Sequence, residues 1–141
     1  YSRKIQEGKK AIQLRSLATP LLAPMIEEGF FNNQISHEII AQYLSDESLN
    51  NIEALILACT HYPLIKSEIK EVYNGKVTIL DSSEVIPKAL KLHLEDQRLL
   101  NQGDSPPQHH FLVSDFTESF EASARMFFHE TVHLERHSLW N

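Results

Sequence analysis

The sequence predicts an α/β fold with a largely parallel sheet flanked by helices. Three observations predict it. Short apolar runs alternate with longer helical patterns, one of those runs is almost unbroken, and Gly and Pro mark the junctions between them. At 141 residues, 42% hydrophobic and 23% charged, the chain holds one domain's worth of material and can bury a core.

Taken in order, an opening helix is followed by Ala11–Leu17, where Ile12, Leu14 and Leu17 alternate with Gln13, Arg15 and Ser16, predicting a short strand. Pro20 opens a helix over Leu21–Glu28, and Gly29 stops it in the position after the cap. Ser36 is the expected cap of a helix over Ser36–Leu44, with Ile39, Ile40, Tyr43 and Leu44 on one face. The apolar run Ala54–Ala58 predicts a strand covered on both faces. Pro63 then stands where a first helical residue belongs, ahead of Leu64–Tyr73 with Ile65, Ile69 and Val72 on one stripe and Gly75 at its end.

Lys76–Leu80 predicts a further strand, Asp81–Ser83 a turn, and Glu84–Leu100 a long helix that tolerates Pro87 only in its first turn. Asn101–His110, with Gly103, Pro106 and Pro107, reads as a linker. Phe111–Ser114 is the last expected strand. Thr117 caps a final helix to Phe128 that turns Phe120, Ala124, Phe127 and Phe128 toward the core.

Composition excludes several function classes. With 13 Lys+Arg against 19 Asp+Glu the net charge is −6, which argues against a nucleic-acid partner or an anionic membrane surface. One cysteine cannot form an internal disulfide, so a reducing, cytoplasmic setting is expected. No apolar stretch approaches the ~20 residues of a spanning helix, so no membrane partner is expected. The opening Tyr1, with no signal-peptide pattern, suggests a piece of a longer gene product.

Open α/β sheets bind ligands beyond the carboxyl ends of their strands, which directs attention to Cys59-Thr60-His61-Tyr62-Pro63. A thiol beside an imidazole and a helix start can be held as thiolate, suiting a nucleophile or a proton-transfer base. On the residues alone, a packed and inert cysteine is the commoner outcome. His129-Glu130-Thr131-Val132-His133 fits a zinc-peptidase pattern, with His137 a turn further on. The pattern lies within the last 13 residues given, so a polar helical tail is the expected reading and no metal is predicted. Glu27 and Glu28 read as surface carboxylates, and Asp81-Ser82-Ser83 as a helix cap. Scattered glycines exclude a phosphate-cradling loop.

Leu55-Ile56-Leu57-Ala58-Cys59-Thr60-His61-Tyr62-Pro63-Leu64-Ile65 resembles the second catalytic-cysteine segment of bacterial glutamate racemases. Ala18–Gly29, Ile79–Glu84 and Phe111–Phe128 resemble that family's other C-terminal segments, so the likeness spans nearly the whole chain. Aspartate racemases and their relatives tend to carry Glu where this chain has His61.

The resemblance implies a cofactor-independent racemisation of glutamate for peptidoglycan, with two cysteines serving opposite faces of the substrate. Cys59 matches the second cysteine, His61 would tune or relay its proton, and Thr60 would bind substrate. Glu27 matches the assisting carboxylate, with Glu28 the alternative. Ala58 and Thr19 replace the family's usual Gly and Cys. By the same resemblance, residues 1–85 are the remainder of a second, inserted α/β domain, and residues 86–141 return to the first domain. The first half of the enzyme is then the missing partner, and with one cysteine the chain alone is expected to be inactive. Apolar surface left by that half would favour a homodimer or aggregation. A hydantoin or aspartate racemase and a non-catalytic interaction module are the rival readings.

Overall fold

The computed structural model describes residues 2–8, 12–103, 105–128 and 130–139. Helix α1 (Ser2–Glu7) precedes α2 (Leu22–Glu27), α3 (Gln34–Leu44), β1 (Ala54–Leu57), α4 (Lys66–Val72), β2 (Thr78–Asp81) and α5 (Ser82–Asp96). The linker leads to β3 (Phe111–Val113), α6 (Glu118–Phe128) and β4 (Leu134–Arg136). Strands β1 and β2 pair in parallel with Leu57 opposite Asp81, and β3 and β4 pair in parallel with Val113 opposite Arg136. The predicted α/β class with parallel pairing and flanking helices is therefore observed, though as two two-stranded sheets rather than one.

One core lies between α2, α3, α4 and the first sheet: Leu22, Met25, Ile26, Ile40, Leu57, Ile65, Ile69 and Ile79 are buried together. The predicted stripes account for it, since Ile40 and its neighbours Ile39, Tyr43 and Leu44 come from one face of α3, and Ile65, Ile69 and Val72 from one stripe. Gly29 follows α2 at φ +76°, a conformation that costs a side-chain-bearing residue but not glycine.

A buried carboxylate clamps the two helices beneath. Glu68 of α4 accepts from the Ser36 hydroxyl of α3 and from the Asn32 amide at 3.1 Å.

Several expectations are corrected. Residues 12–17 form no strand, and Ala11 lies outside the described residues; no neighbouring strand pairs with this segment, which is held by Arg15 bonding the Ser48 carbonyl at 3.0 Å. The cap of α3 is Asn33, whose side chain accepts from the Ile35 and Ser36 amides, while Ser36 completes the box from the third helical position. Strand β1 is not covered on both faces: only Leu57 is buried, because a two-stranded sheet leaves its outer edge and face open.

The helix after Pro63 begins as a 3₁₀ turn, Tyr62–Ile65, before α4 continues it. Helix α5 starts at Ser82 because Asp81 caps it, which puts Pro87 in the second turn, and it ends at Asp96 instead of Leu100. Thr117 does cap α6, accepting from the Phe120 amide at 3.2 Å. Phe120 and Phe128 nevertheless remain 49% exposed and Phe127 36% rather than buried, and α5 buries no residue. The tail contains β4 where a polar helix was expected, since Leu134–Arg136 finds β3 as a parallel partner.

Candidate active site

Strand β1 delivers Cys59 two residues beyond its carboxyl end, and the 3₁₀ turn that follows folds His61 back over it. Cys59 Sγ lies 3.5 Å from His61 Nδ1, and the Thr60 hydroxyl is also 3.5 Å from that nitrogen. On the other side of the ring, His61 Nε2 meets Glu27 Oε1 at 2.9 Å. Glu27 is the last residue of α2, so the carboxylate arrives from a different element. Glu28, the alternative, is instead the C-cap, its amide bonded to the Pro24 carbonyl at 3.0 Å.

The geometry defines roles for both imidazole nitrogens. When Nε2–H donates to the Glu27 carboxylate, Nδ1 is free to accept a proton from the thiol; the protonated ring then donates to both the thiolate and the carboxylate. Cys59 is partly buried and His61 is 24% exposed, whereas the Glu27 side chain is 58% exposed, so the group opens to one side. The helix start expected at Pro63 is a 3₁₀ turn that α4 continues, and His61 is the side chain that meets the thiol.

Two residues to which the sequence assigned no role make further contacts along this stretch. Tyr62 Oη lies 2.5 Å from the Thr19 hydroxyl, tying the segment before α2 to the turn that carries His61. Lys66 opens α4 and places Nζ 2.6 Å from Asp81 Oδ2, with Glu84 as its second partner. Asp81 Oδ1 in turn accepts from the Ser83 amide at 2.8 Å and hydroxyl at 2.5 Å, and from the Glu84 amide at 3.3 Å. The cap predicted for Asp-Ser-Ser is thus present and carries an ion pair besides.

Burial pushes the Asp81 carboxyl up, but the hydrogen bonds from Lys66 and Ser83 and the Lys66 charge outweigh it and lower it to about 2 from 3.8. The Lys66 ammonium is raised by the same bond to Asp81 and by Glu84. A carboxyl depressed in the folded state stabilises the fold above its unfolded value and loses that contribution as pH falls through the folded one. Acid titration followed by circular dichroism should therefore show roughly 2 kcal/mol of stability lost between about pH 4 and pH 2, and Asp81→Asn should remove that component.

No family model matches the chain. A glutamate racemase of Chlorobaculum parvum is 34% identical over 127 residues, 90% of this chain and 47% of that protein. The crystal structure of glutamate racemase from Francisella tularensis in complex with D-glutamate aligns with a TM-score of 0.84 at 37% identity, over 99% of this chain and 52% of that one. The chain is thus similar to glutamate racemases over nearly all of its own length.

A glutamate racemase isoform from Bacillus anthracis aligns with a TM-score of 0.86 at 28% identity, again over 99% of this chain and 52% of the other. The chain spans about half the length of the curated glutamate racemases it matches. The residues brought together in this chain are Cys59, Thr60, His61 and Glu27. Of the zinc-peptidase pattern, Glu130 and His133 lie on irregular chain ahead of β4, and His129 lies outside the described residues. Among the described residues no cluster of three metal-ligating side chains occurs. No described helix is long and apolar enough to cross a membrane.

Proposed function

We propose that this chain carries one of the two proton-transfer sites of a glutamate racemase. The observation that carries the reading is the continuous contact from Cys59 through His61 to Glu27, 3.5 Å and then 2.9 Å, beyond a parallel strand of a glutamate racemase homologue. As thiolate, Cys59 takes the Cα proton of one glutamate enantiomer: the C–H bond breaks, an S–H bond forms, and the electron pair passes into the substrate's carboxylate-stabilised carbanion. An acid on the opposite face returns a proton to Cα, and reversal of both roles restores the first enantiomer. No cofactor takes part in this scheme.

His61 holds or exchanges the thiol proton, Glu27 orients the imidazole, and Thr60 contacts substrate. The second acid lies in an N-terminal half outside these 141 residues, because Cys59 is the sole cysteine. Residues 1–85 then complete an inserted domain and residues 86–141 return to the first. The exposed Val85, Ile86 and Leu90 of α5 support a covering partner of that kind, since such apolar side chains otherwise face water. The D-glutamate bound by the Francisella tularensis relative supports glutamate as substrate, and D-glutamate for peptidoglycan in the cytoplasm is the role that fits.

The test is solvent-deuterium incorporation at Cα of L- and D-glutamate, by the complete gene product and by the 141-residue chain alone. Exchange and racemisation of both enantiomers by the first, and none by the second, is the expected result. Racemisation by the chain alone would overturn the two-site scheme.

A further inference from the structure

Three consecutive residues in the last turn of α6 reach three different places. Successive side chains on a helix point about 100° apart, so Met126, Phe127 and Phe128 face different directions. Met126 packs against the core beneath the first sheet. Phe128 meets Phe111 of β3 with ring centroids 5.0 Å apart at 69°. Phe127 meets His61, with centroids 5.6 Å apart and planes inclined at 73°. The helix end therefore joins the second sheet to the histidine beside the thiol.

His61 needs such a neighbour. Its Nε2 bonds a carboxylate that is mostly exposed, and its Nδ1 faces two groups at 3.5 Å, Cys59 and Thr60. Exposed polar contacts hold a ring loosely, because water competes for each of them. An aromatic ring packed edge-to-face against the imidazole restricts its rotation and displaces that water. We propose that Phe127 is a positioning residue, holding the His61 ring where Nδ1 reaches Cys59 and Nε2 reaches Glu27. This inference rests on the reading of Cys59 and His61 as a proton-transfer pair.

The test is the pH dependence of iodoacetamide alkylation of the sole thiol in the full chain, which reads the thiolate without requiring turnover. Phe127→Ala is expected to move the alkylation midpoint upward and slow alkylation at neutral pH by roughly two- to tenfold, the range of an aromatic pair. Phe127→Leu, which keeps apolar bulk without a ring, should do the same, and Phe127→Tyr should restore the wild-type profile. Phe128→Ala, which loses the ring contact with Phe111 and leaves Phe127 in place, should not move the midpoint.

Equal shifts in Phe127→Ala and Phe128→Ala would overturn the inference, because they would report helix docking rather than ring placement. An unshifted Phe127→Leu would overturn it as well. His61→Asn separates the two levels: if it fails to shift the midpoint, the proton-transfer pair itself fails. If it shifts the midpoint while the Phe127 variants do not, only the positioning role is lost.

Discussion

Cys59→Ser in the complete gene product is expected to suppress proton abstraction from one enantiomer of glutamate by about 10²–10⁴-fold, the range for removal of a general base. Serine is nearly isosteric, and its hydroxyl can still face His61 Nδ1, so the turn Cys59–Pro63 should keep its shape. What is lost is acidity: a thiol ionises near ~8.5, and an alcohol remains protonated at any pH the fold survives. The effect should be directional. Deuterium wash-in measured separately from L- and D-glutamate should fail for the enantiomer that presents its Cα proton to Cys59. The other face retains its own base, and exchange there should fall less. Equal rates for variant and wild type would make Cys59 a packing residue and would favour a non-catalytic module.

Lys66→Met is expected to destabilise the fold by about 2–4 kcal/mol in urea denaturation. Lys66 is 13% exposed and the Asp81 side chain 0%, so removing the ammonium leaves a carboxylate buried with only the Ser83 and Glu84 donors. Loss of one partner from a buried pair typically costs about 3–5 kcal/mol, and the remaining donors to Asp81 reduce that here. The two residues belong to one interaction, so Lys66→Met combined with Asp81→Leu should cost less than the sum of the single changes. Simple additivity would show that the pair contributes no coupling. Because Leu57 lies opposite Asp81 in the register, this pair also pins the strand end from which Cys59 projects.

The local elements were legible wherever one segment contained its own cause. Asp81 and Thr117 cap helices through bonds to amides two or three residues away, and Gly29 adopts the left-handed turn that ends α2. Sequence placed the caps of α5 and α6 correctly in kind, but missed Asn33 because Ser36 offers the same hydroxyl signal from inside the same box. The segment 12–17 carries strand alternation without a strand partner, and Leu134–Arg136 lacks the pattern yet pairs with β3. Strand formation depends on a neighbour, and alternation reports only the side chains.

At the candidate site, the Cys59–His61 pair could be read from the chain because the two residues are neighbours on one turn. By itself the sequence determined the α/β class, the positions of most helices, a resemblance to glutamate racemases, and Cys59, Thr60, His61 and one of Glu27 or Glu28 as the residues to inspect. Only the tertiary structure put Glu27 rather than Glu28 in contact with His61, brought Phe127 against His61 across 66 residues of chain, and paired Lys66 with Asp81. The reason is physical: caps, turns and amphipathic stripes are set by bonds and periodicities within a few residues. A carboxylate, an aromatic ring or a cation from another element meets its partner only after the packing of both elements is complete.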